Sequence, residues 1–148
     1  ICKAMFSVFK GVHENVVVEG EDVMRLVTLR SHDQYNTTIY AMDDRYRGVF
    51  GRRDVLFMNE QDMAAQGLEH GDRVDIHTAL PGSALTLEDI TVVAYGIAPG
   101  TVGAYYPEAN VLVPLNYLDE ESGTPSYKSV PVRLTLRSKE IRPLAGGR

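Results

Sequence analysis

Apolar positions fall in short runs rich in β-branched residues, each closed by turn residues: 16–18, 25–29, 55–58, 73–78, 90–95, 111–115 and 130–136. Runs this short, bounded by Gly, Pro, Asn and Asp, predict strands. In 73–78, Val74 and Ile76 alternate with Asp75 and His77, so one face is buried, the other is wet, and His77 lies at the surface. Residues 130–136 repeat the pattern, with Val130, Val132, Leu134 and Leu136 against Pro131, Arg133 and Thr135. Pro131 has no N–H for a ladder and predicts that this end of the strand is a sheet edge. Tyr105 and Tyr106 read as aromatics packing such an edge.

One helix interrupts the strands. Asn59 suits an N-cap, and Asp62 three residues on can reach back in a weaker form of the capping box. Residues 61–66 are good helix formers, Gly67 can take the left-handed C-cap, and Leu68 can fold back onto the helix. Gly71-Asp72 then turns the chain into the next strand. Pro81-Gly82 reads as a type II turn. The prediction is a mainly β domain with one or a few short helices. Residues 1–24 form a lead-in, and 141–148, with Pro143 and Gly146-Gly147, a tail.

The 148 residues suit a single domain. A net charge of -5 provides no general basic field for a nucleic-acid backbone, so an anionic ligand needs a local cluster of cations. The one cysteine, Cys2, permits no internal disulfide and fits a reducing compartment. No apolar run is long enough for a transmembrane helix, which argues against membrane insertion. The chain begins at Ile1 without an initiator Met, as expected of a fragment of a longer protein.

Candidate chemistry concentrates in residues 26–48, where an apolar strand opens into Arg30, Ser31, Gln34, Tyr35, Asn36, Thr37 and Thr38 with no Gly or Pro among them. Donors presented from the end of a rigid strand suit phosphate, ribose and heterocycle edges. The alternative is a solvated hairpin with its own Asx-turn. Arg45, Arg47, Arg52 and Arg53 beside Asp43 and Asp44 read as an internal salt-bridge network, as a face for a neighbouring domain, or as direct phosphate contacts. The four histidines share no metal-ligand spacing, and no HExxH, paired CxxC, Walker loop or GxGxxG occurs. Ser31, His32 and Asp33 are consecutive, so on extended backbone they cannot form a relay.

Asp62, Gly67, Leu68, Gly71, Asp72 and Val74 spell DxxxxGLxxGDxV, which resembles the signature of six-stranded double-psi β-barrels of the aspartate decarboxylase-like fold. Three further segments follow in a known order: TLRSHDQYNTTIY with DDRYRG, GTVGAYYPEANVLVP at 100–114, and SGTPSYKSVPVRL at 122–134. Together they resemble the C-terminal molybdopterin-dinucleotide-binding domain of molybdenum or tungsten oxidoreductases, in particular the formate dehydrogenase-like alpha subunits. The resemblance covers nearly all of the chain after about Arg25.

It implies a domain that holds Mo-bis-molybdopterin guanine dinucleotide without catalytic residues or metal ligands of its own, and a fragment inactive by itself. Carried over by position, Arg30, Ser31, Gln34, Tyr35, Asn36 and Thr37 match the first cofactor loop, Asn110 matches the ANVL segment, and Tyr127 and Lys128 match the SGTPxYK segment. Asn36 and Thr37 stand where better-known formate dehydrogenases place other donors, including His, so the resemblance carries the loop rather than each contact. It further implies a 4Fe-4S cluster in other domains of a cytoplasmic parent enzyme, with those domains and an electron-transfer subunit as partners. Two rivals use the same barrel. A non-catalytic adapter or substrate-binding module of an ATPase shares the Gly-Leu, Gly-Asp pattern but has no need of SGTPSYK. A self-processing pyruvoyl decarboxylase would cleave at Gly82-Ser83.

Overall fold

The computed structural model describes residues 20, 22–36, 39–119 and 122–139. Six strands, β1 (Met24–Leu29), β2 (Val55–Met58), β3 (Arg73–Thr78), β4 (Thr86–Ala94), β5 (Thr101–Tyr105) and β6 (Val130–Ser138), close into a barrel in the order β1-β5-β2-β4-β3-β6. β1 with β5 and β2 with β4 run parallel, and the remaining neighbours run antiparallel. Parallel partners cannot be joined by a hairpin, so their connections cross the barrel ends. The result is a six-stranded double-psi β-barrel.

Alternation along the strands fills the interior with Leu26, Leu56, Met58, Val74, Ile76, Val92, Val102, Val130 and Val132, all fully buried. Each such side chain contributes about 1.5–3 kcal/mol over its exposed state. β2 is buried on both faces. Its outward Phe57 is covered by Val49, Val55, Val93 and Tyr105, and Val49 is brought there by a bridge to Asp44.

The helix α1 spans Glu60–Ala65 with Asn59 as N-cap, the Asn59 side chain accepting from the Gln61 N–H. Asp62 does not complete a capping box: its Oδ2 accepts the Gly100 N–H at 2.8 Å, tying the helix to the turn before β5. Gly67 is left-handed, and the Leu68 N–H returns to the Met63 carbonyl at 2.8 Å.

Other expectations give way. Residues 111–115 are not a strand: Glu108–Leu112 is a 3-10 turn that buries Ala109 and Leu112, and Thr78 Oγ1 donates to the Leu112 carbonyl at 2.8 Å. The strand in this part of the chain is β5, upstream of that turn. The β4 strand begins at Thr86, four residues before the predicted start at Ile90. Because the barrel closes, Pro131 marks no edge; it sits opposite Arg25 of β1. Tyr105 likewise marks no edge: it is 1 % exposed, buried in the cluster that covers β2 with its ring set edge-on to Phe57. The predicted strand at 16–18 and the tail at 141–148 lie outside the described residues.

Candidate functional site

Strand direction gathers the predicted site residues. β1 and β5 are parallel with Leu29 opposite Tyr105, so both chains leave the barrel at one end. β6 runs antiparallel to β1 and begins there, and β3 ends there, with Thr78 opposite Val132. The loop after β1, the β3–β4 turn, the segment after β5 and the segment before β6 therefore rim one mouth. They are tied to it by Tyr106 N–H to the Leu29 carbonyl (2.7 Å), Thr28 N–H to the Tyr127 carbonyl (3.2 Å) and Ala79 N–H to the Pro131 carbonyl (2.8 Å).

One side of the mouth is organised by Arg53, 4 % exposed. Its guanidinium donates to Glu108 Oε1 at 2.6 Å, Ser31 Oγ at 2.8 Å, Gln34 Oε1 at 3.0 Å and the Tyr106 carbonyl at 2.6 Å. It lies 3.7 Å from the Tyr40 ring centre and 4.6 Å from that of Tyr105. Gln34 Nε2 also donates to the Tyr106 carbonyl at 2.8 Å. The hydroxyl of Ser31 and the amide of Gln34 thus face inward and fix the start of the loop. Beneath them Tyr105 donates to Asp44 Oδ2 at 2.9 Å, an oxygen that also accepts from Arg47 at 2.5 Å. Burial first, and then the Asp44 carboxylate, push the Tyr105 hydroxyl well above the usual tyrosine range. Arg52 pairs with Asp54. The basic cluster is a salt-bridge network.

Tyr35, 81 % exposed, and Asn36 point outward from the same loop, with Arg30 donating to Asn36 Oδ1. Thr37 lies outside the described residues. Lys128 Nζ donates to the Thr28 carbonyl. Partial burial, and then the like charge of Arg30, pull the Lys128 ammonium below the usual lysine range. The segment before β6 thereby places a second cation beside the first loop.

The other side of the mouth is hollow. A cavity of about 640 Å3 lies between residues 80–85 and residues 110–117. A smaller one of about 230 Å3, with Pro125 and Tyr127 in its wall, shares Asn110, Val113, Pro114 and Leu115 with it. The lining is largely apolar, yet Asn110 Oδ1 and Ser83 Oγ are buried with no hydrogen-bond partner among the described residues. The Ser83 N–H bonds back to the Leu80 carbonyl at 3.1 Å, and Gly82 has φ +74°, so Pro81-Gly82 forms the expected type II turn and sets Ser83 in the cavity wall. The sequence marks Ser83 only through the Gly82-Ser83 pair of the pyruvoyl reading and not as a ligand contact, because its place depends on β3 ending beside the start of β6.

A closed barrel with two cations and an apolar, polar-studded hollow at one mouth has the features of a ligand-holding domain. The chain belongs to the Molydopterin dinucleotide binding domain family, whose model matches residues 24–131. It is 42% identical over 135 residues, 89% of its length, to Protein YdeP of Escherichia coli strain K12, covering 18% of that protein. It is 51% identical over 114 residues, 74% of its length, to the uncharacterized oxidoreductase Rv2900c of Mycobacterium tuberculosis strain H37Rv, covering 15% of it. The chain thus spans less than a fifth of these curated relatives. The acetylene hydratase of Pelobacter acetylenicus shares the fold, with TM-score 0.56 and 15% identity over 77% of this chain and 18% of that one. Family membership decides against the ATPase-adapter and pyruvoyl readings. Among the described residues no helix is long and apolar enough to cross a membrane.

Proposed function

We propose that the chain is the C-terminal dinucleotide-gripping lobe of a molybdenum or tungsten oxidoreductase of formate dehydrogenase-like type. Its cofactor is molybdopterin guanine dinucleotide in the bis form. The observation that carries this reading is Asn110 Oδ1, a buried acceptor without a partner among the described residues on the wall shared by both cavities, in a chain of this family. A buried amide oxygen left unbonded costs roughly 1–3 kcal/mol, which a ligand N–H relieves. A flat heterocycle between apolar walls supplies such an N–H, and the phosphates of a dinucleotide suit the cations at the rim.

When bound, the cofactor supplies two-electron chemistry at its metal. This chain holds and orients it. Arg30 and Lys128 meet anionic oxygens, Asn110 meets a ring edge, and Tyr35, Asn36 and Tyr127 line the approach. Ser31 and Gln34 act as positioning residues, because their side chains hold the loop to Arg53. The residues the chain lacks, a metal ligand and the cysteines of a 4Fe-4S cluster, belong to other domains of a cytoplasmic parent, and an electron-transfer subunit completes the partners.

The reading is tested by metal and pterin analysis of the purified parent enzyme. Wild type carries molybdenum or tungsten with pterin, and Arg30→Ala and Lys128→Ala lower both. A parent enzyme devoid of pterin sinks the whole assignment, whereas full loading in both variants removes those two residues from the site.

A further inference from the structure

We infer that Ser83 and Asn110 together read the 2-amino-4-oxopyrimidine edge of a flat bicyclic ring lodged in the 640 Å3 cavity. This rests on the proposed cofactor and adds a residue of the β3–β4 turn to its site. Two buried side-chain atoms in that cavity wall lack partners among the described residues, and they come from segments far apart in sequence. Asn110 Oδ1 only accepts, and the Ser83 hydroxyl can donate. The edge in question presents the converse set, ring N–H and exocyclic NH2 beside a carbonyl oxygen. Leu80, Leu85, Val113 and Pro114 give the cavity apolar walls between which a ring lies flat. Ser83 is held in place by its backbone rather than its side chain: its N–H closes the Leu80 turn while its hydroxyl makes no bond among the described residues. A hydroxyl that contributes nothing to the turn is free for a ligand.

Both the pterin and the guanine of a pterin-guanine dinucleotide carry this edge, and the experiment separates them. Parent enzyme freed of cofactor is titrated with GMP, with 6-hydroxymethylpterin and with AMP, as wild type and as the Ser83→Ala, Ser83→Thr and Asn110→Ala variants. Loss of one hydrogen bond predicts about tenfold weaker binding of GMP or of the pterin in Ser83→Ala, with AMP unaffected and Ser83→Thr restored. The probe that responds names the ring. Equal binding of every probe to wild type and Ser83→Ala, or an equal loss for AMP, overturns the inference. Should Asn110→Ala fail to fold, the Ser83 variants decide alone. Pterin content of the wild-type enzyme as isolated distinguishes the two failures: a loaded wild type with indifferent Ser83 variants leaves the dinucleotide-binding reading standing and removes only Ser83.

Discussion

The two sides of the barrel mouth treat polar groups in opposite ways. Around Arg53, the guanidinium, Ser31, Gln34, Glu108 and the Tyr106 carbonyl bond to one another. Even Asp44, whose Oδ1 is unpartnered among the described residues, has its Oδ2 taken by both Tyr105 and Arg47. Across the mouth, the 640 Å3 cavity is mainly apolar, and the two buried side-chain atoms without partners in its wall have no such compensation. Proteins leave few buried polar atoms unpaired, so two in one wall call for partners beyond the described residues. A saturated cluster serves the fold, and the unsaturated wall is where the proposed ligand would bond.

The sharpest way to break this contrast is Arg53→Met. Glu108, Ser31, Gln34 and the Tyr106 carbonyl would lose their common donor while largely buried, and removing one partner of a buried charged cluster costs about 3–5 kcal/mol. Urea unfolding should register most of that. A loss below about 1 kcal/mol would show that the cluster is not what holds the first loop.

Lys128→Ala probes the rim between the two sides. Lys128 is exposed as a residue and its partly buried ammonium bonds a backbone carbonyl, that of Thr28, so folding stability should stay within about 0.5 kcal/mol. In the proposed site its charge-assisted contact with the ligand would be worth about 1.5–3 kcal/mol, or roughly ten- to a hundredfold in cofactor retention. Dialysis of the loaded parent enzyme followed by pterin analysis measures this. A stability loss without any retention loss would make Lys128 a structural residue.

Tyr105→Phe tests the saturated side through pH. Removing the hydroxyl takes one hydrogen bond from Asp44 and should cost about 1 kcal/mol near neutrality. In the folded wild type Tyr105 keeps its proton above its ordinary value of 10.0, while the unfolded chain loses it there. The folded state then binds more protons, so wild-type stability falls as pH rises past 10. Lys128 acts in the opposite direction, because its lowered pKa favours the folded state as pH climbs toward the unfolded lysine value, but it is common to both proteins and cancels in the difference. Melting temperatures from pH 8 to 11 should therefore converge for the two proteins as pH rises, and parallel curves would deny Tyr105 its raised pKa.

These contrasts also explain what the chain discloses before folding. The helix, its Asn59 cap and the Gly67 stop are local, and they were legible because the residues that make them are neighbours. β5 was missed since Gly103 interrupts its short apolar run; a Cβ there would lie 2.7 Å from Leu29 Cδ1, a close approach visible only once β1 is in place. Residues 111–115 looked like a strand because Val111, Val113 and Leu115 alternate, yet the preceding turn buries Ala109 and Leu112 and leaves Val111 and Leu115 exposed. Barrel closure, which overturned the edge assigned to Pro131, is a property of pairing and not of any one strand. Among the candidate site residues, motif likeness marked Asn110, Tyr127 and Lys128, whose places at the mouth follow from β5 and β6. It could not show that Ser31 and Gln34 turn inward, because that depends on Arg53, nineteen residues beyond Gln34.

Ser83→Ala should have the smallest effect on stability, and that near absence is itself the test. In an apo protein, deleting a buried hydroxyl that bonds nothing among the described residues removes a desolvated polar group without breaking a contact seen there, so folding should be unchanged or slightly favoured, within about 0.5 kcal/mol. The turn survives because Gly82 supplies its left-handed residue and the Ser83 N–H, not the hydroxyl, closes it. Urea unfolding of apo wild type and Ser83→Ala measures the difference directly. Destabilisation beyond about 1 kcal/mol would mean that the hydroxyl has a partner within the protein, and the two sides of the mouth would then no longer differ in kind.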